Sequence, residues 1–170
     1  MQFNSTVRTF GDNPLWSYHI PVPLEIAEQF VTKKSRRVIC TLNNLITVHI
    51  ALTHDGIGGF YITLNKENRK KLKVVEGDSI KIDIKKDESK YGMPMPEEFE
   101  VMLEQEPDAD RIFHKLTPGK QRTLLHLIGK YKNSETRITK ALVVANYLIE
   151  CNGKIDFKAL NADFKAANQK

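Results

Sequence analysis

Two clusters of basic side chains are the groups in this 170-residue chain whose chemistry most clearly suits binding of a ligand. Lysine and arginine neutralise the phosphates of nucleic acids, so each cluster is a candidate polyanion-binding site. Few aromatic residues lie between the bases, which argues against a platform on which single-stranded bases stack. A solvated basic surface with no partner is the alternative interpretation. The first cluster comprises Lys33, Lys34, Arg36 and Arg37, and the second comprises Lys66, Arg69, Lys70, Lys71 and Lys73.

An aromatic segment near the amino terminus is the second candidate site. Trp16 is the only tryptophan of the chain, and Tyr18 follows it closely. Each ring is a large apolar surface with one polar group, which suits either a plug of the core or the wall of a ligand pocket. We therefore name Trp16 and Tyr18 as candidate ligand-binding residues for a small molecule, with the core plug as the alternative.

Residues that could catalyse a reaction or bind a metal form no familiar motif. The chain contains no Gly-x-Ser-x-Gly, no Walker loop and no His-Glu-x-x-His. The five histidines are scattered, and Cys40 belongs to an apolar strand face, where a thiol is more often a core side chain than a nucleophile. We expect no catalytic residue, no metal site and no cofactor, and hence a non-enzymatic protein.

Composition and charge limit the class of protein. Hydrophobic residues make up 41% of the chain and charged residues 28%, which is typical of a globular domain and not of a disordered one. The formal net charge of +5 permits an acidic partner without requiring one. The two cysteines are far apart, no apolar segment approaches about 18 residues, and the polar start differs from a signal peptide. We expect a cytoplasmic protein that does not insert into membranes.

Residues 1–92 alternate apolar and polar side chains as half-buried strands do, with turn-forming residues between the alternating segments. When the chain is aligned with itself at an offset of 42 residues, Ile20 meets Ile62 and Val38 meets Ile80. Each copy contains a strand, a short polar helical turn, a loop and a second strand. The pattern predicts a mainly β domain over 1–92, a pseudo-duplicated antiparallel barrel that closes within one chain and is therefore monomeric.

Residues 93–170 have the apolar spacing of helices. Pro96 suits the first position of a helix, and the acidic residues after it favour the positive end of the helix dipole. Thr117 before Pro118 predicts the start of another helix, and Asn133 or Ser134 the start of the next. The apolar stripes predict a C-terminal helical extension over 93–170, packed on the barrel.

Several spaced motifs resemble a bacterial protein family. They are Trp16-x-x-x-x-Pro21-Val22-Pro23, Leu64-x-Lys66-x-x-Arg69, Glu76-Gly77-Asp78, Met95-Pro96-Glu97-Glu98 and Glu135-Thr136-Arg137. In this order they resemble the YdeI/OmpD-associated family, whose N-terminal part is a domain of unknown function. The segment around Glu76-Gly77-Asp78 is also similar to the swapped-hairpin element of AbrB-like proteins, which implies a double-split barrel.

The resemblance implies a binding or stress-associated role and supplies no reaction. DNA-binding AbrB-like chains place an arginine on the strand that leads into this element, whereas Ser17 and Gly59 occupy the aligned positions here. We therefore predict a non-enzymatic binding or stress-associated module of the YdeI/OmpD-associated type. The alternatives are weak, salt-dependent nucleic-acid binding through the basic clusters, binding of another protein, and a small-molecule site beside Trp16.

Overall fold

The structure, a computed structural model, describes residues 1–11, 18–33 and 35–167. The chain divides into two compact units, Met1–Glu88 and Ser89–Lys170. The sequence places the boundary a few residues later, between residues 92 and 93. The first unit contains the strands and two short helices, and the second unit is helical.

The first unit is built from eight strands and two helices among the described residues. In chain order they are β1 (Gln2–Thr6), β2 (Arg8–Thr9), β3 (Tyr18–Val22), α1 (Leu24–Phe30), β4 (Arg37–Leu42), β5 (Ile46–Ala51), β6 (Thr53–His54), β7 (Phe60–Thr63), α2 (Lys66–Leu72) and β8 (Ser79–Lys86). One sheet has the order β1-β8-β4-β5 and the other the order β2-β3-β7-β6, and every pairing is antiparallel. The predicted antiparallel, mainly β character of this unit is confirmed.

The closed barrel that the sequence predicts is not seen. Among the described residues the strands form two separate four-stranded sheets, and no ladder of paired strands joins them. The chain passes from one sheet to the other at Val7, between β1 and β2, and at Leu52, between β5 and β6. Both crossing residues are fully buried. Strands that change sheet in this way let two sheets share a core without a closing ladder.

Alternation of side chains along the strands supplies that core. The odd-numbered residues of β8 face away from it, whereas Ile80, Ile82 and Ile84 are fully buried. On β4 the fully buried residues are Val38, Cys40 and Leu42, which belong to the same apolar cluster. Because the side-chain period of a strand is two, this pattern specifies which face each strand turns inward.

The two halves of the first unit repeat each other element by element. At an offset of 42 residues, β3, α1 and β4 coincide with β7, α2 and the start of β8. Equivalent residues also lie directly opposite each other across the sheets, Ile20 opposite Ile62 and Thr41 opposite Asp83. Such pairing is what a local twofold axis between the halves produces. We call β1 to β4 with α1 the first repeat, and β5 to β8 with α2 the second repeat.

The strands before these segments repeat at an offset of 45 residues. Thr6 and Arg8 flank the crossing residue Val7, and Ala51 and Thr53 flank its counterpart Leu52. Each crossing residue donates its backbone N–H to an equivalent carbonyl of the other repeat, Val7 to Asp78 and Leu52 to Arg36, at 2.9 Å. The repeat therefore extends over the whole first unit.

The Glu76-Gly77-Asp78 motif forms the turn that receives Val7. Gly77 has a φ of 91°, which favours glycine, and its N–H donates to the Val7 carbonyl at 2.9 Å. The Asp78 carboxylate accepts from the backbone N–H of Val75 at 2.8 Å. The motif thus holds the end of β1 next to the start of β8.

The second unit has five helices among its described residues. They are α3 (Glu97–Gln105), α4 (Pro107–Lys115), α5 (Pro118–Gly129), α6 (Ser134–Glu150) and α7 (Phe157–Ala167). Asn133 caps α6, since its side chain accepts from the N–H of Thr136 at 3.1 Å, but Thr117 makes no side-chain cap bond at α5. Their apolar faces enclose a core that includes Phe99, Phe113 and Leu148, all fully buried. In the part of the chain that the structure describes, none of the helices has both the length and the apolar character needed to cross a membrane.

Candidate functional sites

The exposed face of α2 gathers most of the second basic cluster. Lys66 and Lys70 are exposed and lie four residues apart, which places them on one side of the helix, and the exposed Lys73 follows as the C-cap of α2. None of the three forms an ion pair with another described residue. Lys71 differs, because its ammonium group lies 2.8 Å from the Glu67 carboxylate. The three lysines, which we call the α2 lysine face, therefore present uncompensated positive charge.

Arg69 of the same cluster is held against an aromatic ring. Its guanidinium carbon lies 3.6 Å from the centre of the Tyr18 ring, within the range of a cation–π contact. Its Nε atom is buried and has no hydrogen-bond acceptor among the described residues. The sequence nominates Tyr18 for a small molecule and Arg69 for a polyanion, and the structure brings the two together. The two nominations could not be joined from sequence because β3 and α2 are distant along the chain.

The first basic cluster is divided between two environments. Lys33 and Arg36 are exposed, whereas Arg37 is half-buried on β4. The Arg37 Nε lies 3.8 Å from an Asp87 carboxylate whose side chain is fully buried. The ring of His49 approaches the same carboxylate through Nδ1 at 2.9 Å. A buried carboxylate requires such partners, so Arg37 and His49 are engaged in stabilising Asp87. Lys34 lies outside the described residues.

The two repeats carry different charges on equivalent helices. Residues 66–73 hold five bases and one acid, whereas the corresponding residues 24–31 hold two acids and no base. The first basic cluster has no counterpart either, because its equivalents at the offset of 42 residues are Val75, Glu76, Asp78 and Ser79. The lysine face of α2 is therefore peculiar to the second repeat.

An aromatic stack of Phe10, which follows β2, with rings of β3 and β7 was not anticipated from the sequence. The rings of Phe10 and His19 are parallel at 3.7 Å, and Tyr61 contacts both edge-on. His19 is only 7% exposed, and its pKa is lowered by burial and secondarily by the Arg8 charge. The stack depends on the pairing of β3 with β7, which single-strand patterns do not reveal. The other aromatic candidate, Trp16, lies outside the described residues.

Cys40 is a core side chain, as its position on an apolar strand face predicts. It is fully buried on β4, and burial raises the pKa of its thiol to about 12. The thiolate needed for nucleophilic attack is therefore scarce at neutral pH. Within the described parts of the chain, no three His, Cys, Asp or Glu side chains lie close enough together to hold a metal ion.

In the second unit, two separate sequence motifs meet in one ion pair. Glu98 of α3 accepts from the Nε and Nη2 of Arg137 on α6, at 2.8 and 2.7 Å. The Ser134 hydroxyl also donates to this carboxylate at 2.7 Å. These hydrogen bonds, with Arg137 contributing most, lower the pKa of Glu98 to about 2. Arg137 further donates to the carbonyls of Tyr131 and Lys132, so it ties α3 to the start of α6.

Comparisons with known proteins assign a family model to each unit. Residues 3–84 match a Domain of unknown function (DUF1905), and residues 93–145 match a family described as Bacteriocin-protection, YdeI or OmpD-Associated. The chain matches no curated protein. The Glu98–Arg137 pair lies within the second match, and the α2 lysine face lies within the first.

Proposed function

The chain belongs to the YdeI/OmpD-associated family, and from that premise we propose that it is a non-enzymatic, stress-associated module that binds nucleic acid through the α2 lysine face. The observation that carries the proposal is the charge difference between α2 and its internal counterpart α1. Lys66, Lys70 and Lys73 repel one another and lack anionic partners among the described residues, so a bound polyanion would relieve a repulsion that the free protein bears.

The geometry favours contact with the phosphate backbone over reading of bases. The lysine side chains are flexible point charges, which suit phosphates of any sequence. Arg69 is the cluster's residue best suited to bidentate recognition, and it is stacked on Tyr18. We therefore expect weak, sequence-independent binding with a strong dependence on salt.

The fold adds a structural part to the same proposal. Equivalent residues of the repeats lie opposite each other, as Ile20 and Ile62 do, which supports kinship with the double-split AbrB-like barrels. In those proteins two short chains interlace, whereas here both halves belong to one chain. The protein is accordingly proposed to act as a monomer in the cytoplasm.

The test is a binding titration with a short labelled duplex DNA and the matched duplex RNA, at about 50 and about 200 mM salt. The variant Lys66→Gln/Lys70→Gln/Lys73→Gln should weaken binding to both duplexes. It should also lower the slope of log affinity against log salt by about 2.7, since each phosphate contact contributes about 0.9. All three positions are exposed, so circular dichroism should remain unchanged.

A matched control separates this surface from general charge. The variant Lys33→Gln/Arg36→Gln removes two exposed bases of the first repeat and should leave the slope nearly unchanged. If the control and the α2 variant lower the slope equally per charge, binding is a property of net charge and the assignment to α2 is wrong. If the unmodified protein binds neither duplex at low salt, the proposed function itself is wrong.

A further inference from the structure

A pocket of about 340 Å³ opens on the second unit between the segment before α3, α3 itself and α4. This volume lies within the range of pockets that accept small molecules. Met95, Leu103 and Pro107 contribute apolar surface to its lining. A ligand that fills the pocket therefore needs an apolar portion.

One wall of the pocket is a chain of hydrogen bonds that starts on α4. The Nδ1 of His114 lies 3.0 Å from both the backbone carbonyl and the carboxylate of Asp110, which makes Nδ1 the protonated nitrogen. Nε2 is then an acceptor, and the Tyr91 hydroxyl donates to it at 2.8 Å. The Tyr91 ring is held in addition by an edge contact with Phe113. The protons of His114 and Tyr91 are thus directed within the wall and not into the pocket.

The helix α3 contributes two carboxylates to the lining, and neither forms a hydrogen bond or a close ion pair with another described residue. Glu100 and Glu104 are exposed on α3, four residues apart and hence on the same side of the helix. Like charges at this spacing repel each other. With Asp110 opposite, three carboxylates line the pocket, so a cation placed between the walls would be stabilised by both.

Lys90 is the only lysine or arginine among the described residues that line the pocket. Its pKa is raised, first by a hydrogen bond to Tyr91 and further by the charges of Asp110 and Glu100. The Lys90 ammonium lies 5.2 Å from the centre of the Tyr91 ring, and its charge compensates one of the three carboxylates. The lining therefore keeps a net negative charge.

We propose that this pocket binds an organic ammonium ion, a primary amine carried on a short aliphatic chain. The ammonium group donates to the carboxylates of Glu100 and Glu104, and the aliphatic chain covers Met95 and Leu103. The inference is independent of the nucleic-acid surface, which lies on the first unit.

The test uses three probes of equal length, pentylamine, pentanol and pentanoate, titrated into the full chain and followed by the amide resonances of isotopically labelled protein. Pentylamine should give saturable shifts confined to residues around the pocket. Pentanol should bind about tenfold more weakly because it lacks the charge, and pentanoate should not bind. Equal affinity for pentylamine and pentanol would show an apolar pocket without charge selection and would overturn the proposal.

Two variants locate the charge that selects the amine. Glu100→Gln/Glu104→Gln should weaken pentylamine binding about tenfold while leaving pentanol binding unchanged. The control Glu150→Gln removes an exposed carboxylate at the end of α6, away from the pocket lining, and should change neither. A loss of amine affinity that is the same in the control would assign the effect to net charge and refute the site. Neither outcome bears on duplex binding, so the two proposals fail separately.

Discussion

The two repeats of the first unit share a backbone and differ in surface. The helices α1 and α2 span equivalent residues, and both are followed by strands that contribute to one core. Some buried positions hold apolar side chains in both copies, as Ile20 does in the first and Ile62 does in the second. Others do not, because the counterpart of the buried Ala27 on α1 is Arg69 on α2. The exposed positions differ in charge where Glu28 on α1 corresponds to Lys70 on α2. Packing constrains only the inward side chains, so a repeated fold does not imply a repeated binding site.

The largest expected effect tests whether the cores of the repeats are equivalent. Ile20 and Ile62 are fully buried and directly opposite each other, so Ile20→Ala and Ile62→Ala should each lower the free energy of unfolding by about 3 kcal/mol. Urea unfolding followed by circular dichroism measures both. The exposed Leu45→Ala is the control and should change little. A large cost in one repeat and a small cost in the other would break the comparison.

A smaller effect should distinguish the starts of the two helices. The Asn65 side chain caps α2 by accepting from the N–H of Asn68 at 2.8 Å, whereas Pro23 at the equivalent position of α1 makes no such bond. Asn65→Ala should therefore destabilise the protein by about 1 kcal/mol. Pro23→Ala loses no cap bond and should cost less than half as much in the same unfolding experiment. Equal costs would show that the cap is not what distinguishes the helices.

The pH dependence of stability should reveal the difference between His19 and its equivalent, Tyr61. Because the pKa of His19 is lowered in the folded protein from its ordinary value of 6.5, the unfolded chain takes up a proton first as the pH falls. The free energy of unfolding therefore has its full value above pH 6.5 and falls as the pH drops below 6.5. For a single proton this fall is less than about 1.4 kcal/mol per pH unit.

The variant His19→Tyr makes the two repeats alike at this position. The loss of melting temperature between neutral and mildly acidic pH should become shallower in this variant. His126→Gln, at an exposed position of α5, is the control and should retain the full loss. An unchanged profile in His19→Tyr would assign the titration to another group.

The smallest effect is a transfer of charge between the repeats. Glu28 is exposed on α1 at the position equivalent to Lys70, and Glu28→Lys should raise the affinity for duplex DNA about twofold at low salt. The gain should vanish at high salt, because it comes from screened phosphate contact. Glu28→Gln separates the removal of the acid from the addition of the base. A twofold gain in that control as well would show that repulsion by Glu28 had been limiting.

Local patterns in the sequence were sufficient for most of the elements and for their repeat, but they identified no strand in the polar segment that forms β1 and β2. Alternation on β4 and β8, the offset of 42 residues and the proline at the start of α5 depend on neighbours in the chain, and the structure agrees with them. The Glu98 and Arg137 motifs were also recognised separately. Their ion pair was not predicted, because it depends on how α3 packs against α6.

Contacts that depend on register between distant strands could not be predicted. His49 lies on β5 and Asp87 directly follows β8, and neither the paired charge nor the buried carboxylate has a signature in the local sequence. The same holds for Arg69 over Tyr18, and for the division of the strands into two sheets at Val7 and Leu52. A pattern of period two identifies the inward face of a strand but not its neighbour.

The strand order of the β1-β8-β4-β5 sheet has a consequence for how the chain folds. All three of its pairings, β1 with β8, β8 with β4 and β4 with β5, join one repeat to the other. Neither repeat could form that sheet alone, so a chain cut in the turn at Asn43 and Asn44 should give two fragments that build this sheet only on mixing. Each half of the unit therefore serves as the template on which the other half completes its strands.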